Sequence, residues 1–362
     1  MIKILTIIGA RPQIIKAATL SRTIKSHYSS EILEVLVHTG QHYDENMSDV
    51  FFKDMGLPIP KYNLGLGGGS QSSMVGRMMV GLEDIYLQEK PDWVLVYGDT
   101  NSTLAGALVA SKLNIKLAHI EAGLRSHNMS MSEEANRILT DRVSTLLFCP
   151  TTLSVKNLES EGFKNFSNTK IKTVGDIMYE GVVYYSKQSR KPSEFNALND
   201  NGFVLATIHR AETTDKIENL KSVIKALNKV HESTTVVMPT HPKTRSIIKD
   251  NNIDVTFKMI NPVGYLEMIW LLQNCKLVIT DSGGLQKEAY FFKKCCLTTR
   301  TETEWLELVE TGNNILVGYD TKKILSEFYS LRKFKASGKI YGDGNTSNLI
   351  IKSLIEASRI SI

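Results

Sequence analysis

The chain has 362 residues, of which 42% are hydrophobic and 22% charged. A length of this size is expected to form about two domains. The proportions are those of globular proteins, which excludes a disordered, collagenous or coiled-coil protein. Lysine and arginine number 43 against 38 aspartates and glutamates, a net charge of +5. Because this excess is thinly spread, it does not indicate nucleic-acid binding and is compatible with an anionic small molecule.

The cysteine content and the length of the apolar runs indicate the cellular compartment in which the protein is expected. The four cysteines are too few for a disulfide framework and lack the C-x-x-C spacing of zinc or redox sites, so we expect free thiols. The apolar run at the start is too short for a signal peptide. No stretch approaches the ~18 apolar residues of a membrane span. We therefore expect a cytoplasmic protein with no membrane partner and no metal.

Short runs rich in Ile, Val and Leu predict the strands, since runs without alternation are typical of strands buried on both faces. In chain order they lie at 2–8, 32–38, 93–97, 115–120, 145–149, 203–207, 235–238, 276–280 and 296–299. Each is followed by a polar loop and a helix-length segment, which predicts doubly wound parallel α/β sheets. The pattern breaks near 178–201. The expected domains are 1–172 and 173–345, with a helix at 346–362 that packs back on the first.

The loop after the first predicted strand reads Gly-Ala-Arg-Pro-Gln. Gly9 permits a tight turn, and Pro12 suits the first position of a helix. Arg11 and Lys16 would then lie near a helix N-terminus, where anions are favoured. For Lys16, an ordinary solvated helix position is the alternative. The loop is neither a G-x-G-x-x-G fingerprint nor a Walker A motif, which disfavours nicotinamide cofactors and ATP.

Carboxylates follow the next strands of the first half. Asp99 lies directly after one strand, where it is a catalytic carboxylate or a helix cap. Glu121 follows the next strand, where a glutamate has no capping function. Ser130 and Glu133 fit an S-x-x-E capping box, which predicts a helix start with Glu133 and Arg137 on one face. A surface ion pair is the alternative for these two.

Two histidines follow predicted strands of the second half, namely His209 and His241. Ligands of parallel α/β sheets bind beyond the carboxyl ends of the strands. We therefore expect these histidines to face the carboxylates of the first half across an interdomain cleft. Three carboxylates bind a diphosphate poorly, so we expect them to transfer protons.

The segment Thr-Asp-Ser-Gly-Gly-Leu-Gln-Lys-Glu predicts an anion site. Ser282, Gly283 and Gly284 would expose backbone N–H groups at a helix start and let an anion approach closely. Glu288 could accept the two hydroxyls of a ribose on the same helix. The segment therefore suits a diphosphate attached to a ribose, and a capping turn with a surface glutamate is the alternative.

Eight motifs together resemble the non-hydrolysing UDP-N-acetylglucosamine 2-epimerases. They are G-A-R-P-Q-x-I-K, H-T-G-Q-H, Y-G-D-T-N-S-T, H-I-E-A-G-L-R-S, E-E-A-N-R-I-L-T-D, H-R-A-E, T-H-P-K-T-R and T-D-S-G-G-L-Q-K-E-A. Their order and spacing agree over essentially the whole chain. The resemblance implies two Rossmann-like domains of the glycosyltransferase-B-like type, UDP bound mainly by the second, a homodimer, and no metal or nicotinamide cofactor.

The resemblance also implies a reaction, in which UDP leaves C1 as the C2 proton is lost and adds back to the resulting 2-acetamidoglycal. Asp99, Glu121 and Glu133 would transfer protons. His209 and Arg137 would stabilise the leaving diphosphate, helped by Arg11, Ser282, Gly283 and Gly284. Glu288 would bind the ribose. Lys16 and His241 would line the nucleotide or sugar pocket. An activator site of the family would use Gln41, His42, Glu134 and Arg210.

Three stretches resemble one subtype, the UDP-2,3-diacetamido-2,3-dideoxy-glucuronate 2-epimerases of surface-polysaccharide synthesis. They are Gln13, the three glycines at 67–69, and Thr-Glu-Trp at 303–305. Ser132 departs from the proline that is common at this position in the family. The alternatives are a UDP-N-acetylglucosamine 2-epimerase and, ranked lower, a glycosyltransferase of the same fold.

Overall fold

The computed structural model describes residues 1–41, 52, 54–197, 202–330, 333–336 and 338–359. The chain divides into two compact units. The first consists of Met1–Val183 together with Lys339–Ile362, and the second of Tyr184–Gly338. In the part of the chain that is described, no helix is both long and apolar enough to cross a membrane.

The first unit contains a parallel sheet and the helices that connect its strands. Its strands are β1 (Ile2–Ile8), β2 (Ile32–His38), β3 (Tyr62–Asn63), β4 (Trp93–Tyr97), β5 (Lys116–Ile120), β6 (Leu146–Cys149) and β7 (Lys170–Thr173). Its helices are α1 (Arg11–His27), α2 (Gln71–Glu89), α3 (Asn101–Lys112), α4 (Ser132–Val143), α5 (Thr152–Ser160) and α6 (Ile177–Tyr185). The strand order is β3-β2-β1-β4-β5-β6-β7.

The second unit contains a six-stranded parallel sheet. Its strands are β8 (Val204–Thr207), β9 (Val236–Pro239), β10 (Lys258–Ile260), β11 (Leu277–Thr280), β12 (Cys295–Thr298) and β13 (Asn314–Leu316). Its helices are α7 (Ala211–Thr214), α8 (Ile217–His231), α9 (Pro242–Asp250), α10 (Tyr265–Asn274), α11 (Gly283–Phe291), α12 (Leu306–Glu310) and α13 (Thr321–Tyr329). The strand order is β10-β9-β8-β11-β12-β13.

Both sheets share one connectivity, and the prediction of two doubly wound parallel sheets is confirmed. In each, the order turns back beside the first strand, between β1 and β4 and between β8 and β11. The loops after these two adjacent strands run to opposite faces of the sheet. This leaves a crevice at the carboxyl ends of the strands, where such folds bind ligands. The strand order therefore directs attention to the residues that follow β1, β4, β8 and β11.

The nine predicted strands are all present, but four further strands were not predicted. These are β3, β7, β10 and β13, which are the four edge strands of the two sheets. They are two to four residues long and mostly half-buried or exposed. A strand that is covered on one side only lacks the continuous apolar run by which the central strands were predicted.

The central strands are buried on both faces because adjacent residues pack into different apolar clusters. In β8, Val204 and Ala206 belong to one cluster, with Leu220 and Val230 of α8. Leu205, which lies between them, belongs to the other, with Leu271 of α10. This double coverage requires apolar residues at every position of the strand, which is the pattern that predicted it.

The helix α14 (Thr346–Arg359) ends the described chain and packs in the first unit. It contacts α1, and the hydroxyl of Tyr28, the residue that follows α1, donates to Asn348 Oδ1 at 3.2 Å. Near its other end, the Trp93 indole donates to the Ser358 hydroxyl at 2.8 Å. These contacts attach the end of the chain to the sheet of the unit in which it began.

The predicted capping box at the start of α4 is wrong. The helix begins at Ser132, so its N-cap is Met131, which makes no side-chain capping bond. Glu133 therefore lies one position too early in the helix, and its carboxylate accepts from the Ser132 hydroxyl at 3.2 Å instead. Glu134 takes the third helical position, and its carboxylate accepts the backbone N–H groups of Ser126 and His127.

Glu89 joins the end of α2 to two strands. Its carboxylate accepts from Lys61 Nζ at 2.6 Å, the Tyr62 hydroxyl at 2.6 Å and Lys3 Nζ at 3.1 Å. The hydrogen bonds from Lys61 and Tyr62 lower the pKa of Glu89 to about 2, although burial opposes the shift. The carboxylate is therefore ionised in the folded state at a pH at which it is protonated in the unfolded chain.

We predict that Glu89→Gln destabilises the protein by about 1–2 kcal/mol at pH 7, because three donors lose a charged acceptor. Since the folded-state pKa lies below the unfolded value of ~4.3, this contribution is present above about pH 4 and is lost as the pH falls towards 2. Urea unfolding of both proteins at several pH values measures the difference. Glu83→Gln, an exposed substitution on the same helix, is the control. A difference that stays constant down to pH 2.5 would contradict the prediction.

Candidate active site

Lys16 and Glu121 form a buried ion pair at the carboxyl edge of the first sheet. Lys16 lies in the second turn of α1, Glu121 follows β5, and each side chain is 9% exposed. The alternative that Lys16 is a solvated helix residue is therefore wrong. Glu121 has a positive φ of 76°, a conformation that is uncommon for residues with a Cβ and that concentrates at functional sites.

Gly98 makes room for this ion pair. It follows β4 with a φ of +62°. A Cβ at this position would lie 3.1 Å from Glu121 Oε2 and 3.3 Å from Lys16 Nζ. Both the backbone conformation and the close approach of the two charged groups therefore require a glycine immediately before Asp99.

Arg137 lies between two carboxylates. Its Nη1 pairs with Asp99 Oδ2, while Nε and Nη2 donate to Glu134 Oε2 at 3.0 and 2.7 Å. Arg137 and Glu134 are buried, whereas the Asp99 side chain is 32% exposed. Burial would raise the pKa of Glu134, but hydrogen bonds from Ser126 and Arg137 outweigh it and hold that pKa below its usual value. Asp99 is thus the member of the trio that solvent reaches.

Asn136 holds the backbone at Asp99 and contacts Asn101, and neither asparagine was predicted as a site residue. Asn136 Nδ2 donates to the Asp99 carbonyl at 2.9 Å and to Asn101 Oδ1 at 3.3 Å. Both lie in motifs of the sequence, E-E-A-N-R and T-N-S-T, close to the predicted site residues Arg137 and Asp99. Glu133, by contrast, is half-buried one position before Glu134.

Gln13 organises the loop between β1 and α1. Its Oε1 accepts the N–H groups of Gly9 and Ala10 at 2.8 and 3.0 Å, while its Nε2 donates to the Tyr97 carbonyl and the Thr103 hydroxyl, both at 2.9 Å. A glutamate could make only the first two bonds, because a carboxylate has no N–H to donate. Gln13 therefore ties the loop after β1 to the end of β4, and Arg11 follows it at the start of α1.

Gln41 lies beside the same edge. Its Oε1 accepts from the backbone N–H of Ser102 at 3.0 Å and from the Ser102 hydroxyl at 2.8 Å. It is therefore held against the start of α3, close to Asn101. His42, which was predicted with it, lies outside the described residues.

Asp281 fixes the corresponding edge of the second sheet. It follows β11, is fully buried, and its Oδ2 accepts the backbone N–H groups of His209 and Arg210, both at 3.0 Å. His209 Nδ1 lies 3.5 Å from Asp281 Oδ1, with the side chain 48% exposed. Asp281 was read only as part of a motif. Its position after a strand and before Ser-Gly-Gly was the signal that could have identified it.

The start of α11 is open on one side. Ser282 is its N-cap and accepts from the Leu285 N–H at 3.4 Å. A Cβ at Gly283 would lie 2.3 Å from Glu304 Oε1, whereas a Cβ at Gly284 would contact none of the described atoms. Close packing against Glu304 therefore explains the glycine at position 283, whereas there is free space beside Gly284.

Glu288 and His241 occupy unlike positions in the second unit. Glu288 is 7% exposed on α11, so the alternative of a surface glutamate is wrong. His241 is exposed and is the N-cap of α9, where its Nδ1 accepts from the Lys243 N–H at 3.2 Å.

The strand order brings the predicted residues together within each unit. In the first, Lys16, Asp99, Glu121, Glu134 and Arg137 meet at the ends of β4 and β5. In the second, His209, Arg210 and the start of α11 meet at the ends of β8 and β11, held by Asp281. In the described ranges, no group of three or more His, Cys, Asp or Glu side chains could hold a metal ion.

Comparison with known proteins defines the class of protein. A crystal structure of Methanocaldococcus jannaschii UDP-GlcNAc 2-epimerase in complex with UDP-GlcNAc and UDP matches with a TM-score of 0.90 and 39% identity. The match covers 98% of this chain and 100% of that one. The chain is thus an α/β protein of the glycosyltransferase-B-like fold, as predicted.

The family follows from sequence. Residues 25–355 match the family model described as UDP-N-acetylglucosamine 2-epimerase. A UDP-2,3-diacetamido-2,3-dideoxy-D-glucuronate 2-epimerase of Pseudomonas aeruginosa is 51% identical over 355 residues, 97% of this chain and 99% of that protein. A UDP-N-acetylglucosamine 2-epimerase homolog of Methanococcus maripaludis is 47% identical over 97% of this chain and 99% of its own. The chain belongs to the UDP-N-acetylglucosamine 2-epimerase family and is a UDP-sugar 2-epimerase, an isomerase, which confirms the predicted resemblance and enzyme class.

We predict that Lys16→Met destabilises the protein by about 3 kcal/mol, because it leaves the buried Glu121 carboxylate without its cation. The double variant Lys16→Met/Glu121→Gln removes both charges and should recover most of this loss. Thermal and urea unfolding of the two single variants, the double variant and the unmodified protein complete a double-mutant cycle. Additive losses in the double variant would show that the two groups do not interact.

Proposed function

We propose that the substrate is UDP-2,3-diacetamido-2,3-dideoxy-D-glucuronate, which the enzyme converts to the D-mannuronate epimer for surface-polysaccharide synthesis. The observation that carries this proposal is the 51% identity, over 97% of the chain, to the Pseudomonas aeruginosa epimerase of that name. Gln13 and Trp305 add to it, as they lie in two of the three stretches that resemble this subtype. The second candidate substrate is UDP-N-acetylglucosamine, which the 47% identical Methanococcus maripaludis homolog supports.

The chemistry requires proton transfer at C2 together with loss of UDP from C1. The C2 proton is barely acidic, so the C1–O bond breaks as a base removes the proton, which gives a 2-acetamidoglycal and UDP. A proton then adds to the opposite face of C2, and a β-phosphate oxygen re-forms the bond to C1. This sequence needs acid–base groups on both faces of the sugar and a site that stabilises the diphosphate.

We assign proton transfer to Asp99, Glu121 and Glu133 of the first unit. The pairing of Glu121 with Lys16 favours its carboxylate form, which suits a base. Asp99 is the solvent-accessible carboxylate of its trio, and Arg137 likewise favours its ionised form. In this arrangement Arg137 is better suited to hold Asp99 than to bind the leaving diphosphate, the role first expected of it.

We assign the nucleotide to the second unit. The free space beside Gly284 lets a phosphate approach the start of α11, where the helix dipole favours an anion. His209 lies after the neighbouring strand and can add a positive charge as the diphosphate leaves. Glu288 remains the candidate for the ribose, and Arg11 and His241 remain candidates for the same pocket.

We further propose an oligomeric state, an activator site and a cellular compartment for the enzyme. The chain acts as a homodimer on a UDP-sugar substrate, and Gln41, His42, Glu134 and Arg210 are the candidate residues of an activator site. It works in a reducing compartment such as the cytoplasm, which the four free cysteines support. The contacts of Glu134 with Arg137, Ser126 and His127 already occupy its carboxylate, which weakens its claim to an activator.

We predict that the enzyme incorporates deuterium at C2 of the diacetamido-glucuronate substrate in D₂O, with the manno epimer appearing at the same time. Proton NMR of separate incubations with this substrate and with UDP-N-acetylglucosamine measures both events. Faster exchange on the diacetamido-uronate is expected. Exchange on UDP-N-acetylglucosamine alone would overturn the substrate, and exchange on neither would overturn the proposed reaction.

We predict that Asp99→Asn lowers kcat by about 10²–10⁴-fold, the usual share of acid–base catalysis, while the affinity for UDP stays unchanged. Initial rates and calorimetric UDP titrations measure the two quantities. Asp92→Asn is the matched control. Asp92 lies at the opposite end of the same strand β4, where its carboxylate accepts from the Lys3 N–H. Near-normal turnover of Asp99→Asn would refute the role of Asp99.

A further inference from the structure

His119 is a fully buried histidine on β5 whose two ring nitrogens both face acceptors. Nδ1 lies 2.7 Å from Asp141 Oδ1, and Nε2 lies 2.7 Å from the Gly98 carbonyl oxygen. A neutral imidazole has one N–H donor and one lone pair. It would therefore direct a lone pair at an oxygen at one of these two contacts. Asp141 also accepts from Arg125 and Gly123, which favours its carboxylate form. With Asp141 ionised, only the imidazolium, with a proton on each nitrogen, satisfies both contacts.

The surrounding charges balance this imidazolium. Asp141 Oδ2 also accepts from Arg125 Nη1 at 2.8 Å and from the Gly123 N–H at 3.2 Å, and Arg125 in turn pairs with Glu161 at 2.6 Å. Two carboxylates thus face two cations if His119 is charged, so the buried cluster is neutral. Burial acts to raise the pKa of Asp141, but the hydrogen bonds and charges of His119 and Arg125 outweigh it and lower that pKa.

The bond to Gly98 connects the two strand ends that carry Asp99 and Glu121. Gly98 is covalently joined to Asp99, and its N–H donates to the Ile120 carbonyl at 3.0 Å. His119 lies two residues before Glu121 and holds the carbonyl of the same glycine. The N–H and the carbonyl of Gly98 are therefore both bound by β5, which restricts movement of the Asp99 backbone relative to Glu121.

We propose that His119 is a positioning residue of the epimerase, held as a doubly protonated imidazolium, which fixes Gly98 and thereby the spacing of Asp99 and Glu121. This inference rests on the proposed roles of those two carboxylates. The part that concerns protonation stands on geometry alone and can be tested without activity.

The protonation state is tested by NMR of the intact enzyme with ¹⁵N-labelled histidine rings at pH 7.5. His38 is the internal control, as it is also buried at the end of a parallel strand. Its Nδ1 accepts from the Gly40 N–H at 3.0 Å, and burial lowers its pKa to about 4. We expect two protonated nitrogens for His119 and an unprotonated Nδ1 for His38, with signals assigned from His→Gln variants. A single protonated nitrogen in His119 would overturn the proposal.

The positioning role is tested by comparing His119→Gln with Asp141→Asn. In Asp141→Asn, the new amide can donate to Nδ1 of a neutral His119, while its carbonyl still accepts from Gly123 and Arg125. Nε2–H then still binds Gly98. We expect His119→Gln to lower kcat by roughly 10–100-fold, the cost of a small misplacement of reacting groups, with KM within about threefold. Asp141→Asn should retain at least about a third of the turnover.

The two variants separate positioning from stability. Both disturb the same buried cluster, so both are expected to lower the melting temperature, whereas only His119→Gln should lose most of its turnover. Equal losses of kcat in the two variants, or normal kcat in His119→Gln, would overturn the positioning role. If Asp99→Asn turns over normally while His119→Gln is slow, the proposed roles of the carboxylates fail instead.

Discussion

In the first unit, Asp99, Glu121 and Glu134 each pair with a cation, and the arrangement of the site depends on these pairs. Removing an ionised carboxylate from water costs several kcal/mol unless a counter-charge and hydrogen bonds replace the solvent. Lys16 meets Glu121, and Arg137 meets both Asp99 and Glu134. The cations come from helices α1 and α4, so the packing of those helices decides which carboxylates have a counter-charge and which of them solvent can reach.

The second unit uses the same strand order for another purpose. Here one buried carboxylate, Asp281, binds backbone N–H groups of the neighbouring strand's loop and leaves the start of α11 open. The result is an edge with open space beside Gly284 at a helix N-terminus and a half-exposed histidine, which suits an anion. One sheet therefore presents ionised oxygens and the other presents donors. This division matches a reaction in which a proton moves at one carbon while a diphosphate leaves its neighbour.

The sequence predicted those features that depend on neighbouring residues. The buried central strands follow from continuous apolar runs, and the ligand-facing loops follow from the polar residues at their ends. The edge strands were missed because half-exposed segments carry no such run. The burial of Lys16 was misjudged because it depends on Glu121, which lies over a hundred positions away. Asn136 and His119 were missed for the same reason, since their partners become visible only when the strands are set side by side.

The central claim is that UDP leaves C1 while paired carboxylates exchange the C2 proton. The most direct measurement is positional isotope exchange with substrate that carries ¹⁸O in the bridge between C1 and the β-phosphorus, followed by ³¹P NMR. If UDP departs and its β-phosphate rotates before re-addition, the label moves from the bridge to non-bridging positions as the epimer forms. We expect this movement of the label in the unmodified enzyme, and we expect both the movement and epimerisation to be lost in Asp99→Asn. Formation of the epimer with all ¹⁸O retained in the bridge would contradict it.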